Sequence, residues 1–289
     1  MMAYLKLFRF YQWVKNTLLF VPLIAAHRLS ETASVISLLE AFIAFSLCAS
    51  AVYIINDLAD LEADKQHPTK RNRPFASGSV PVSHGIIIGA LLLLGSSVIA
   101  MQLPINFFFA LAVYFLITLG YSLKFKSVVL IDVLLLAGLY TMRIIAGAYV
   151  VDVELSFWLL NFSIFIFFSL ALVKRYSELL LMQSLNKEKL VGRGYQFNDL
   201  SLLRIMGIGS GFLSVLVLAL YIDSPNIKIL YSHPEYVWLL CPLFLYWISR
   251  IWLKTHRGEM HDDPVVFALH DYVSILIVFI GAIIFWLAS

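Results

Sequence analysis

The sequence predicts an all-α polytopic membrane protein with about nine transmembrane helices, on three observations. The first is composition: of 289 residues 61% are hydrophobic and only 13% charged, with a mean hydropathy of +0.87, where a soluble domain carries roughly 25% charged residues. The second is the recurrence of apolar windows close to the ~20 residues a helix needs to cross a bilayer. The third is the collection of lysine and arginine in alternate loops, as positive-inside orientation requires.

The windows fall near residues 16–30, 35–56, 82–101, 104–122, 127–150, 155–175, 200–222, 235–252 and 269–288. Gln102, Leu103 and Pro104 are all that separates the third from the fourth, so a tight hairpin joins them. Lys6, Arg9 and Lys15 before the apolar run Leu18–Ala26 superficially suggest a signal peptide, but Pro22 interrupts the run and further apolar windows follow at once. A retained first span is the expectation. With nine spans and the N-terminus inside, the inside segments are the N-terminus and residues 57–81, 123–126, 174–204 and 250–268, which hold 18 of the 21 basic residues. One missed helix would invert every later loop. The chain is therefore expected to sit in the inner (cytoplasmic) membrane with its N-terminus and active face cytoplasmic.

No internal repeat or soluble domain is visible, and residues 1–289 read as a single helical domain. The net charge of +3 gives no support for nucleic-acid binding. Cys48 and Cys241 lie far apart in apolar runs, which suits buried small hydrophobes better than a disulfide or a zinc site.

Charge is concentrated in Tyr53 to Val80, YIINDLADLEADKQHPTKRNRPFASGSV. Asp57, Asp60 and Asp64 follow at offsets of three and four, and Asn56 stands four before Asp60, which on a helix stacks the polar groups on one face. Mutual repulsion there can be relieved by solvent, by arginines or by a divalent ion; hard oxygen ligands suit Mg²⁺ holding a substrate's phosphates. Lys70, Arg71 and Arg73 follow, residue types that grip phosphate oxygens. The pattern reads as a metal-diphosphate site.

A second layer lies at span ends. Tyr121, Ser122, Lys124 and Lys126 form a basic inside turn. Asp132 and Arg143 share a helical angle but stand about 16 Å apart along one helix, too far to pair. Each must find a partner elsewhere or face a wet cavity, since burying a charge in a membrane is costly. Lys174, Arg175 and Glu178 in LVKRYSEL fit a snorkelling, self-paired helix end as well as a phosphate contact. Lys15 and Asn16 in YQWVKN invite the same two readings. His67 suits a solvated or capping role, and His261, Asp262 and Asp263 read as exposed.

NDLADLEAD matches the NDxxDxxxD motif of the UbiA superfamily of intramembrane prenyltransferases. With YQWVKNTLLFVPL, the KQHPTKRNRPFASGSV loop, YSLKFKSVVLIDVLLLAGLYTMRIIAGA, VKRYSEL and DDPVVFALHD, the chain more narrowly resembles the decaprenyl-phosphate phosphoribosyltransferase family, from near residue 9 to the last span. The resemblance implies a helical bundle around a central cavity open to the cytoplasm and laterally to lipid. It implies transfer of 5-phosphoribose from phosphoribosyl diphosphate (PRPP) to a polyprenyl phosphate, with Mg²⁺ on Asp57, Asp60 and Asp64. Lys15, Asn16, Asn56, Lys70, Arg71, Arg73, Tyr121, Lys124, Asp132, Arg143, Lys174, Arg175 and Glu178 would then line the substrates. Most UbiA prenyltransferases carry a second aspartate-rich motif at the end of the sixth span, where this chain has KRYSEL, so an aromatic-prenylating mechanism carries over less readily. Prenyl transfer to an aromatic or other small acceptor remains the alternative enzyme, and a transporter or lipid flippase the alternative of another class. An oligomer is compatible with all of these.

Overall fold

The computed structural model describes residues 2–66, 70–184, 193–224, 230–260 and 263–289. They form helices throughout, with no strand among them. In chain order these are α1 (Met2–Phe8), a 3-10 helix (Phe10–Phe20), α2 (Val21–Ala25), α3 (Thr32–Ala59), α4 (Leu61–Gln66), α5 (Val82–Ala100) and α6 (Ile105–Leu123). There follow α7 (Ile131–Val151), α8 (Phe157–Ser184), α9 (Leu200–Ile222), α10 (Pro234–Val237), α11 (Leu240–His256), α12 (Pro264–His270) and α13 (Tyr272–Ala288).

Seven of the described helical stretches are long and apolar enough to cross a membrane, and an eighth crossing is made if α12 and α13, bent by 82° at their junction, count as one. The expected first span near residues 16–30 is the exception. It is an 11-residue 3-10 helix followed by the five-residue α2, which opens on Val21 and Pro22. Two contacts fix this form. Asn16 donates to Ser46 Oγ at 2.8 Å, and the Leu19 carbonyl lies so close to Gly147 that a Cβ there would stand 2.0 Å from it. Only glycine allows that approach.

The chain falls into two compact units, residues 1–125 with 142–154 and residues 126–141 with 155–289. In the first, α3 packs on α5 through small residues, with Ser96 donating to the Ala44 carbonyl at 2.7 Å. The N-terminal segment is fastened to α3 by Trp13 Nε1 to Ser50 Oγ (3.0 Å) and Ser50 Oγ to the Phe8 carbonyl (2.7 Å). Serines replace water for backbone and indole groups that lipid cannot satisfy. Phe75, from the loop after α4, is buried with Leu7, Ala51, Ile54, Val80 and Leu92. A Cβ on Gly85 would meet its ring at 2.5 Å, so this glycine makes room for the loop.

In the second unit α8 lies along α9, tied by Ser169 Oγ to the Gly207 carbonyl and Ser210 Oγ to the Phe165 carbonyl, both 2.7 Å. The bend between α12 and α13 has a chemical cause. Asp271 is extended there, its carboxylate accepts from Ser274 N at 2.9 Å to cap α13, and Arg250 donates to both its oxygens at 2.6 and 2.9 Å. A capped helix start beside a paired charge holds the two short helices in a fixed turn.

Candidate functional site

In the first unit the predicted carboxylates are drawn together by arginines. α3 ends at Asp60 (φ −93°, ψ 7°), whose carbonyl accepts from Asp64 N at 2.8 Å as α4 begins. The single straight stripe expected of Asn56, Asp57, Asp60 and Asp64 is thereby broken at Asp60. Asp57 and Asp64 are only 5% and 3% exposed. Arg9 Nη2 donates to both Asp57 oxygens at 2.6 and 2.8 Å. Arg73 Nη1 donates at once to Asp57 Oδ1 (3.0 Å) and Asp64 Oδ2 (2.7 Å).

Local structure aims both arginines. Arg9 sits at φ 49° between α1 and the 3-10 helix, an uncommon backbone for a non-glycine residue, and its guanidinium also lies 4.9 Å over the Tyr53 ring. Burial alone would lower its pKa, but the Asp57 charge and hydrogen bond outweigh that and raise it. Arg73 opens a folded loop in which Ser77 N bonds the Arg73 carbonyl (2.9 Å), Val80 N bonds the Pro74 carbonyl (3.1 Å), and Gly78 turns the chain at φ 71°. Burial of Phe75 pins this loop.

Among the remaining predicted residues of this unit, Asn16 and Arg143 do meet. Arg143 Nε donates to Asn16 Oδ1 (2.9 Å) and Nη2 to Tyr114 Oη (3.0 Å), while its guanidinium lies 5.3 Å over Phe45 and 4.9 Å over Tyr114. Lys15 is buried beside Asn16 in sequence. Asn56 is in the last turn of α3, Tyr121 is half-buried near the end of α6, Lys124 caps α6 exposed, and Arg71 is exposed on the short 3-10 turn Lys70–Asn72. The Lys70 side chain, His67, His261 and Asp262 lie outside the described residues.

The second unit carries a sealed network. Asp132 and Arg175 are both fully buried. Arg175 Nε and Tyr195 Oη donate to the two Asp132 oxygens, and Arg175 Nη1 donates to Glu178. Tyr195 Oη also accepts from Leu130 N at 3.0 Å. Burial first, and then the Asp132 carboxylate, push the Tyr195 hydroxyl well above its usual pKa. Arg193 donates to the Lys126 carbonyl at 3.0 Å and reaches 3.9 Å from Asp132. Gly194 passes so near Ser127 that a Cβ would stand 2.7 Å from its carbonyl. Lys174 donates to Asp263 Oδ2 at 3.2 Å, and Tyr140 Oη to Asp263 Oδ1 at 3.3 Å. Asp263 is thus not the exposed loop residue expected: its carboxylate caps α12 at Val265 N and neutralises Lys174.

Sequence reasoning missed the site roles of Arg9, Tyr53, Arg193 and Tyr195. Each reaches a carboxylate or ring far along the chain, and no local spacing signals that.

Among the described residues no group of three or more His, Cys, Asp or Glu side chains converges to hold a metal ion. The donor set nonetheless fits a divalent cation in one respect. Two buried carboxylates, Asp57 and Asp64, converge on one positively charged nitrogen of Arg73, so a cationic centre already stands between hard oxygen donors.

Comparison with known proteins agrees with the fold. A UbiA homolog from Archaeoglobus fulgidus, solved bound to DMAPP and Mg²⁺, superposes with a TM-score of 0.73 over 98% of this chain and 99% of that one, at 16% identity. The chain is 40% identical over 277 residues to the uncharacterized protein y4nM of Sinorhizobium fredii, covering 96% of this chain but spanning only about half (53%) of y4nM. It is 32% identical to the nodulation protein NoeC of Azorhizobium caulinodans, over 95% of this chain and 89% of NoeC. To the decaprenyl-phosphate phosphoribosyltransferase of Mycolicibacterium smegmatis it is 36% identical over 60% of this chain and 55% of that one. The model of the UbiA prenyltransferase family matches residues 17–273. A multi-pass helical membrane protein in which two of the NDxxDxxxD aspartates, Asp57 and Asp64, are buried under arginines, this chain belongs to the UbiA prenyltransferase family.

Proposed function

We propose that the protein transfers 5-phosphoribose from PRPP to a polyprenyl phosphate at the cytoplasmic face of the inner membrane. The observation that carries the reading is the Asp57–Arg73–Asp64 bridge beside Arg9: buried acids paired with partly exposed arginines match a phosphorylated substrate and its counter-ion. The likeness to decaprenyl-phosphate phosphoribosyltransferases supports the choice of substrates. So does the stretch of α8 around Lys174 and Arg175, where no second aspartate cluster stands to hold a second metal.

In this reaction a phosphate oxygen of the lipid attacks ribose C1 as the C1–O bond to diphosphate breaks, and diphosphate leaves with the electron pair. The attacking phosphate is already anionic at neutral pH, so no general base is required. Asp57 and Asp64, with Asp60 and Asn56 alongside, would hold Mg²⁺ once Arg73 gives way to it. When bound, the ion supplies charge neutralisation for the departing diphosphate. Arg73, Lys70, Arg71 and Lys124 would grip phosphate oxygens. Lys15, Asn16, Tyr121 and Arg143 would line the substrates in the first unit. In the second, Lys174 is a partly exposed cation, and buried Arg175 and Asp132 with half-buried Glu178 would hold this part of α8 in place.

The test supplies purified protein with PRPP and polyprenyl phosphate, and separately with a prenyl diphosphate and an aromatic acid, each with and without chelator. A lipid-linked ribose phosphate formed only in the first mixture, and lost with chelator, is the expected result. Prenylated aromatic product in the second would overturn the reading.

A further inference from the structure

A groove on the second unit runs between α9 and α11 and encloses about 400 Å³, a volume typical of small-ligand sites. Its cause is close helix packing at glycines. A Cβ on Gly207 would lie 2.0 Å from the Trp252 ring, and one on Gly211 2.6 Å from the Ile248 side chain, so these glycines let α11 side chains press onto the α9 backbone and the larger residues alongside leave a furrow. Trp252 is the floor, held by its Nε1 to Ser169 Oγ at 3.0 Å. Ile208, Phe212 and Leu253 are apolar walls, the first two one and two helical turns beyond Arg204 on α9.

One end is basic. Arg204 lines it, with His256 alongside, whose Nδ1 stands 3.0 Å from Tyr176 Oη. Arg204 makes no hydrogen bond or ion pair among the described residues, whereas the acid nearest in sequence to this end of α11, Glu259, is engaged by Lys254 at 3.0 Å. Both helices are long and apolar enough to cross a membrane, and the walls Phe212 and Leu253 are exposed, as suits a furrow open to lipid.

An unengaged guanidinium at the end of an apolar slot within a membrane calls for an anionic head on an apolar tail. We infer that this groove binds an anionic phospholipid from the bilayer, its phosphate at Arg204 and one acyl chain along Ile208, Phe212 and Leu253. The site shares no residue with the carboxylate clusters and does not depend on the reaction proposed above.

Full-length protein reconstituted in nanodiscs of phosphatidylcholine with added phosphatidylglycerol, then released into detergent for native mass spectrometry, tests this. Wild type is expected to retain phosphatidylglycerol over phosphatidylcholine. Arg204→Gln is expected to lower that retention about fivefold, the worth of one basic residue near a membrane surface. Ile208→Trp, which fills the slot and leaves Arg204 in place, is expected to lower it as well. Equal retention of the two lipids by wild type, undiminished retention in both variants, displacement of the lipid by added polyprenyl phosphate, or a lipid-free dimer through this face would each overturn the inference.

Discussion

The two polar clusters are built from the same residue types and differ in access to water. In the first unit Asp57 and Asp64 are buried, but the Arg73 side chain that bridges them is 26% exposed and comes from a loop. In the second, Asp132 and Arg175 are 0% exposed, and Tyr195 closes the remaining oxygen. A guanidinium on a loop can be exchanged for another cation at modest cost; one locked in a helix against a fully buried acid cannot, because withdrawing either partner strands a charge. The lesson is a division of labour: the open cluster is fit for chemistry and the sealed one for holding helices in register.

The largest expected effect breaks the sealed side. Arg175→Met alone should destabilise the fold by about 3–5 kcal/mol by leaving Asp132 uncompensated, seen as a lower thermal midpoint in detergent. Adding Asp132→Asn to it should restore most of the loss. On the open side, Asp57→Asn should leave the protein expressed and folded yet cut turnover by about 10²–10³-fold, read in the transfer assay. Tyr195→Phe removes a donor to Asp132 and an acceptor for Leu130 N, and should cost about 1–3 kcal/mol, with faster proteolysis around residue 193 as its local sign. Glu62→Gln, breaking an ion pair with Lys65 whose partners are 79% and 47% exposed, should change neither stability nor turnover measurably.

Much of the fold was legible because apolar length and charge asymmetry are local properties. Eight of the nine expected windows coincide with membrane-length helices or the bent α12–α13 pair. The window at 16–30 is not one continuous α-helix, because its form is set by Ser46 and Gly147, far along the chain. The need of Asp132 and Arg143 for partners off their own helix was also legible, since helix geometry keeps them apart. Who the partners are was not. Arg9 meets Asp57 across 48 residues and Tyr195 meets Asp132 across 63, and only tertiary packing brings them there. Likewise the i, i+4 spacing around Asp60 promised one unbroken face, whereas the Arg73 loop draws Asp64 onto a separate short helix.

The most direct measurement follows label from the 5-phosphate of PRPP into the lipid fraction, in wild type, in Asp57→Asn, and in the paired variant Asp132→Asn with Arg175→Met. Label should reach polyprenyl phosphate in wild type and in the paired variant, and stay in the aqueous phase with Asp57→Asn. Transfer at the wild-type rate by Asp57→Asn, or none by wild type itself, would contradict the assignment of the chemistry to the open cluster.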